Sequence, residues 1–153
     1  EPENSKIEIG KNLWMVSGEG RSGITFYSHA KFTTIRSGQI KIGNNVALNG
    51  TVITSKKNIQ IGDNCMIAPN VIIVDTDFHQ HWPPEKRFKQ VHSKYDKSVL
   101  IESNVWIGMN TIILKGVTIG KNSIIGAGSV VTTDIPQNVI ASGNPARVIK
   151  KFI

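Results

Sequence analysis

Histidine is the side chain best suited to taking up and returning a proton near neutral pH, and this chain carries four: His29, His79, His81 and His92. Two of them stand close together in Asp75-Thr-Asp-Phe-His-Gln-His-Trp82, among acidic residues. A ring of this kind suits general-base work, and Asp75 or Asp77 is placed to orient it and to stabilise its charged form. Either aspartate serves equally well as a turn former. His92 falls in the charged Lys86–Lys97 stretch and reads as a solvated loop residue, and His29 as structural or surface. The lone Cys65 precludes an internal disulfide and is compatible with a reducing compartment.

What must position these side chains is a repeat. A branched aliphatic recurs every six residues at Ile101, Ile107, Ile113, Ile119, Ile125 and Val131. Four residues after each stand Val105, Thr111, Val117, Ser123, Ser129 and Ile135. The register returns upstream at Ile61, Ile67 and Ile73, with Cys65 and Val71, and again at Ile42 and Leu48, with Val46 and Val52. Weaker hexads reach back through Arg36 and Ala30 to Ile24. Six is neither a helical period nor simple strand alternation. Each hexad supplies a short strand and a corner, three hexads close a triangular coil, and stacked coils share a core no single unit could bury. Glycine beside the aliphatic, as at Gly108, Gly120 and Gly126, is expected to supply the backbone angles of the corner. An extra residue within Ser55–Asn58 predicts a corner bulge. From 76 to 97 the repeat stops, and a loop that long in a compact domain is usually functional.

The expected layout is a lead segment over 1–23 with a first partial coil, a β-helix over 24–136 with the loop 76–97 extruded, and a basic tail over 137–153. At 153 residues this is one domain. No apolar run approaches the ~20 residues of a membrane helix, and the polar Glu1–Lys6 start has no signal-peptide core, so a cytoplasmic protein without membrane insertion is expected. The net charge of +7 favours anionic ligands. It comes without aromatic interleaving or a nucleic-acid motif, so no nucleic-acid partner is expected.

The segments Asn104-Val-Trp-Ile-Gly108, Gly116-Val-Thr-Ile-Gly120, Ile125-Gly-Ala-Gly-Ser-Val-Val131 and Gly143-Asn-Pro-Ala-Arg147 resemble the hexapeptide-repeat O-acetyltransferases, as do Ile61-Gly-Asp-Asn64 and Ala68-Pro-Asn-Val71. The likeness spans roughly 40–150 and is greatest to galactoside and maltose acetyltransferases and to those of bacterial polysaccharide biosynthesis. It implies an all-β, left-handed parallel β-helix, a homotrimer with active sites between subunits, acetyl-CoA as cosubstrate, a sugar-type acceptor and no metal. Residues 1–40 do not resemble the helical N-terminal region of the galactoside and maltose enzymes. The helical C-terminal domain of sugar-nucleotide N-acyltransferases is also missing, which favours the polysaccharide branch.

Carried over residue by residue, the resemblance makes His79 the general base, with His81 as the fallback. Asn49 matches a coil-edge asparagine facing the substrate, its alternative being a corner ladder residue. The amide of Met109 is the expected donor to the developing oxyanion. Ala127, Thr132 and Thr133 match positions along the cosubstrate, and Arg147 and Lys150 are the cations for its phosphates. Asp77, His81, Trp82 and Trp106 are expected at the acceptor, with Trp82 and Phe88 able to stack on a sugar or to pack on a neighbouring subunit. A trimeric zinc carbonic anhydrase is the rival, but its usual pair of histidines is five apart on a coil, whereas His79 and His81 are two apart on a loop. A drug O-acetyltransferase is the second alternative.

Overall fold

The computed structural model describes residues 4–17, 29–88 and 93–152. Strands β1 (Lys6–Ile9), β2 (Trp14–Val16) and β3 (Lys31–Thr34) make the first coil, and β4 (Gln39–Ile42), β5 (Ala47–Asn49) and β6 (Val52–Ser55) the second. The third is β7 (Asn58–Ile61), β8 (Met66–Ile67) and β9 (Ile72–Val74). After the loop, with its short 3-10 turns at Pro84–Lys86 and Ser93–Tyr95, come β10 (Val99–Ile101), β11 (Trp106–Ile107) and β12 (Ile112–Ile113), then β13 (Thr118–Ile119), β14 (Ile124–Ile125) and β15 (Val130–Val131). Strands β16 (Val139–Gly143) and β17 (Ala146–Lys151) finish the chain.

Every third strand pairs in parallel, giving three sheets: A (β1-β4-β7-β10-β13), B (β2-β5-β8-β11-β14-β16, then β17 antiparallel) and C (β3-β6-β9-β12-β15). The result is a left-handed parallel β-helix. Its core is three stacked columns in strict register: Ile42, Ile61, Ile101 and Ile119 from sheet A; Leu48, Ile67, Ile107, Ile125 and Ala141 from B; and Ile53, Ile73, Ile113 and Val131 from C. All are buried. At roughly 1.5–3 kcal/mol for each large side chain taken out of water, these columns are the main driving force for coiling. No described helix is long and apolar enough to cross a membrane.

The corners work differently from the expectation. Gly108, Gly120 and Gly126 are absent from the left-handed region, where asparagines stand instead: Asn12, Asn45, Asn64, Asn104, Asn122 and Asn138, with φ between 56° and 62°. Asparagine tolerates this conformation through its short polar side chain. Here the side chains also bond to one another, Asn12 to Asn45 to Asn64 and Asn104 to Asn122 to Asn138, at 2.8–3.2 Å. The glycines serve close approach: a Cβ on Gly108 would lie 2.5 Å from the Ala127 nitrogen of the next coil. Two repeat assignments also shift. Thr51, fully buried, takes the inward place expected of Val52, because the Asn49-Gly50 corner is one residue shorter than Ala68-Pro69-Asn70 and Gly50 takes φ 52° there. The expected Ile24–Ala30–Arg36 hexads do not continue the core, since Arg36 is exposed at a corner with φ 57° and Phe32 packs inward; Ile24 lies outside the described residues.

Candidate functional site

The loop leaves the prism at the edge between sheets C and A. Asp75 is fully buried there, and its carboxylate accepts from Ser55 Oγ at 2.7 Å and from the amides of Lys56 and Lys57 at 2.8 and 2.9 Å. It thus ties down the corner between β6 and β7. That corner is two residues longer than the one between Ile113 and Ile119, rather than the expected one residue, because Ile53 and not Thr54 takes the inward place. Thr76 is buried next, and its Oγ1 accepts from the Phe78 amide at 3.2 Å. Phe78 stands at φ 62° with Lys56 Nζ 5.7 Å from its ring centroid. A bulky side chain in the left-handed region costs roughly 1–2 kcal/mol, and strain of this kind collects at functional sites.

The residue so presented is His79. Its amide donates to the Asp77 carbonyl at 2.6 Å and its Nδ1 lies 2.9 Å from the Arg87 carbonyl oxygen. A carbonyl only accepts, so Nδ1 carries the hydrogen in this bond, and in the neutral tautomer that this selects Nε2 is the acceptor. The Arg87 carbonyl, rather than Asp75 or Asp77, therefore orients the ring. Asp77 is engaged elsewhere: its Oδ2 meets His81 Nε2 at 2.8 Å and the ammonium of Lys115. Asp77, His79, Gln80, His81, Trp82 and Tyr95 line a pocket of about 250 Å³. Trp82 is 74% exposed at its rim, and Phe88 is 97% exposed among the described residues. A larger concavity of about 520 Å³ runs over the outer side of sheet A at Lys41, Gln60 and Leu100, and no histidine lines it. The smaller pocket is the one that holds a histidine ring with a fixed hydrogen-bond partner.

The other expected residues fall on the edge between sheets B and C, on the outer face of sheet B, and on the loop's own edge. Asn49, Met109 and Ala127 lie along the edge between sheets B and C, where continuing the strand register by one or two residues aligns Asn49 with Gly108 and Gly126, and Met109 with Ala127. Asn49 Nδ2 donates to the Ile67 carbonyl at 3.3 Å and belongs to neither asparagine ladder. The Met109 carbonyl accepts from Gly128, while its amide, like that of Ala127, bonds to no acceptor among the described residues. Arg147 pairs with Ser142 at the foot of this row, and Lys150 with Ile140 at the foot of the outward column of sheet B. Trp106 stands 51% exposed in that column, level with Met66. Thr132 and Thr133 are exposed on the C/A edge, the same edge as the loop. Sheet C, one hexad or roughly 15–20 Å wide, separates the two edges. His92 lies outside the described residues. Among the described residues no three His, Cys, Asp or Glu gather as a metal site.

Sequence reasoning missed Lys115, Tyr95 and the role of Arg87. The last is a backbone contact and leaves no trace in residue type. Lys115 did leave one, since the register Ile73↔Ile113 places it one coil beyond Asp75, directly beneath the loop exit.

Residues 98–133 match a family model described as bacterial transferase hexapeptide (six repeats). Galactoside O-acetyltransferase of Escherichia coli (strain K12) is 45% identical over 145 residues, covering 94% of this chain. This chain in turn spans only 63% of that relative's length. Galactoside O-acetyltransferase of Lactococcus lactis subsp. lactis (strain IL1403) is 36% identical, covering 99% of this chain and 70% of the relative. The solved structure of a galactoside acetyltransferase in complex with coenzyme A superposes with a TM-score of 0.72 at 37% identity, over 97% of this chain and 64% of that one.

Proposed function

The chain belongs to the hexapeptide-repeat O-acetyltransferases, and we propose that it moves an acetyl group from acetyl-CoA to a hydroxyl of a sugar or polysaccharide precursor, with His79 as general base. The observation that supports this is the His79 ring itself: Nδ1–H is committed to the Arg87 carbonyl, which leaves Nε2 as the nitrogen that can accept a proton, and the residue lines the pocket. His79 takes the acceptor's hydroxyl proton as that oxygen attacks the thioester carbonyl, so the C–O bond forms while the proton passes to Nε2. The Met109 amide holds the negative charge that develops on the carbonyl oxygen. On collapse the C–S bond breaks, and His79 returns the proton to the departing thiolate. Both substrates are present together, so no acyl-enzyme is needed.

Binding follows from the edges. The small residues Gly126, Ala127 and Gly128 allow an amide-rich pantetheine arm to approach the B/C row, with Thr132 and Thr133 on the opposite side of the cleft. Arg147 and Lys150, at the end of the stack, take the phosphates. Asp77, His81, Trp82 and Trp106 face the acceptor, Trp82 offering a ring for a sugar to stack on. Asn49, on the B/C edge, would meet the acceptor from a neighbouring chain rather than from the chain that supplies the loop.

These roles require more than one copy, because the loop edge and the B/C row lie on opposite sides of sheet C. We therefore infer a homotrimer in which the loop of one chain meets the row of the next. The outer rows support this. Sheet A presents Lys41, Gln60, Leu100 and Thr118, mostly polar, whereas B presents Trp14, Met66 and Trp106, and C presents Ile72, Ile112 and Val130. The site is cytoplasmic, where acetyl-CoA is made. Acetyl-CoA turnover against a panel of hexosides, sugar nucleotides and chloramphenicol tests the assignment. Transfer to sugars, lost on His79→Ala, is expected; full activity in that variant would remove the proposed base, and transfer confined to chloramphenicol would replace the sugar acceptor.

A further inference from the structure

Lys115 stands at the corner between β12 and β13, on the coil below the loop exit, and its side chain is only 19% exposed. Its ammonium meets Asp77 Oδ2 on the outgoing arm of the loop and donates to the Tyr95 carbonyl on the returning arm at 3.0 Å. Asp77 and Tyr95 are two walls of the pocket. The corner itself does not need this ammonium, because backbone bonds close it: Leu114 N–H to Val131 O at 3.1 Å and Gly116 N–H to Lys97 O at 3.0 Å. What Lys115 holds is therefore the loop.

We propose that Lys115 is a positioning residue for acceptor binding and for the geometry of His79, an inference that rests on the function proposed above. Asp77 connects it to both. Its carbonyl accepts the His79 amide and its carboxylate holds the His81 ring. Lys115 thus fixes Asp77 at its side chain while His79 hangs from its backbone. With Lys115 in place the Asp77 carboxylate stays turned toward His81, and the Asp77 carbonyl stays where the His79 amide meets it. Displacements of an ångström at a reacting group can cost about a hundredfold in rate, and Lys115 is the brace that prevents one here.

The test compares wild type with Lys115→Met, which keeps the aliphatic stem, Lys115→Arg, which keeps the charge, and Asp77→Asn. The acceptor is whichever of methyl galactoside, methyl glucoside and maltose the wild-type protein acetylates fastest. Lys115→Met is expected to lower kcat/KM for the acceptor about 10- to 100-fold and to leave the KM for acetyl-CoA within about twofold. Lys115→Arg recovers most of the loss, and the double variant is no worse than Asp77→Asn alone, as coupled residues require. Unchanged acceptor kcat/KM in Lys115→Met overturns the proposal. So does an equal rise in both KM values that arginine fails to rescue, the mark of general loosening. Should Lys115→Met not fold, a wild-type acceptor kcat/KM in Asp77→Asn overturns it too. Where none of the three is acetylated, the best sugar nucleotide serves as acceptor; a wild-type protein that acetylates neither kind overturns the sugar reading, and this inference falls with it.

Discussion

His79 has two ring nitrogens with separate duties, and one substitution divides them. Asparagine at 79 can place its amide nitrogen near the position of Nδ1 and donate to the Arg87 carbonyl, but it offers nothing in place of Nε2. The anchor is a neutral hydrogen bond on an exposed loop, worth about 0.5–1 kcal/mol. General-base catalysis is worth about 10²- to 10⁴-fold, or roughly 2.7–5.5 kcal/mol of barrier. His79→Asn and His79→Ala are therefore expected to lose kcat by that same large factor. They should differ from each other by about fivefold or less, the share of the anchor, with asparagine the better of the two. The assay is thiol release from acetyl-CoA at saturating acceptor, with loop order checked by limited proteolysis around Lys86 and Arg87. A His79→Asn protein that keeps more than about a tenth of wild-type kcat, with its loop intact, would refute the assignment of Nε2 as the base.

Three further outcomes concern the frame. Gly108→Ala, whose Cβ would sit 2.5 Å from the Ala127 nitrogen, must push neighbouring coils apart and should cost about 1–3 kcal/mol. Gly128→Ala, at φ 69° with nothing within 4 Å, carries only the left-handed penalty of about 1 kcal/mol, and urea unfolding that ranks the pair the other way would contradict the packing account. Asp75→Ala leaves the Ser55 hydroxyl and two corner amides without their acceptor, a loss of about 3–4 kcal/mol that should lower Tm by about 10 °C; an unchanged melt would mean the corner holds without it. Burial pushes the Cys65 thiol above its ordinary pKa, so iodoacetamide at pH 8 should label it only after denaturation, and rapid labelling of the folded protein would show the core open at that coil.

The inward columns were legible because a prism face buries one aliphatic per hexad, and isoleucine spaced by six has no simpler use. Thr51 escaped notice for the complementary reason: the short Asn49-Gly50 corner moves the frame by one residue, and Val52 is the more apolar of the two. The asparagine ladders were hidden behind the glycines, which looked like the natural owners of a positive φ, whereas their task is to admit a neighbouring backbone. At the site, residue type pointed to His79 and to the loop that carries it. It gave Asp75 and Asp77 as partners for the ring, while the fold commits one to a corner and the other to Lys115 and His81. Partners drawn from main-chain carbonyls, like that of Arg87, depend on how a loop closes rather than on which residues compose it.

The width of sheet C bears on heredity as well as chemistry. If each working junction joins one chain's loop to another chain's corner row, a chain spoiled only at His79 still carries a sound row, and one spoiled only at Asn49 still carries a sound loop. Neither variant alone has an intact junction. Unfolded together in equal amounts and reassembled as closed rings, they place a sound loop against a sound row in about a quarter of junctions, so two inactive proteins should regain about a quarter of the wild-type rate. In a cell holding both alleles the lesions would complement, and the unit on which selection acts is the junction rather than the chain.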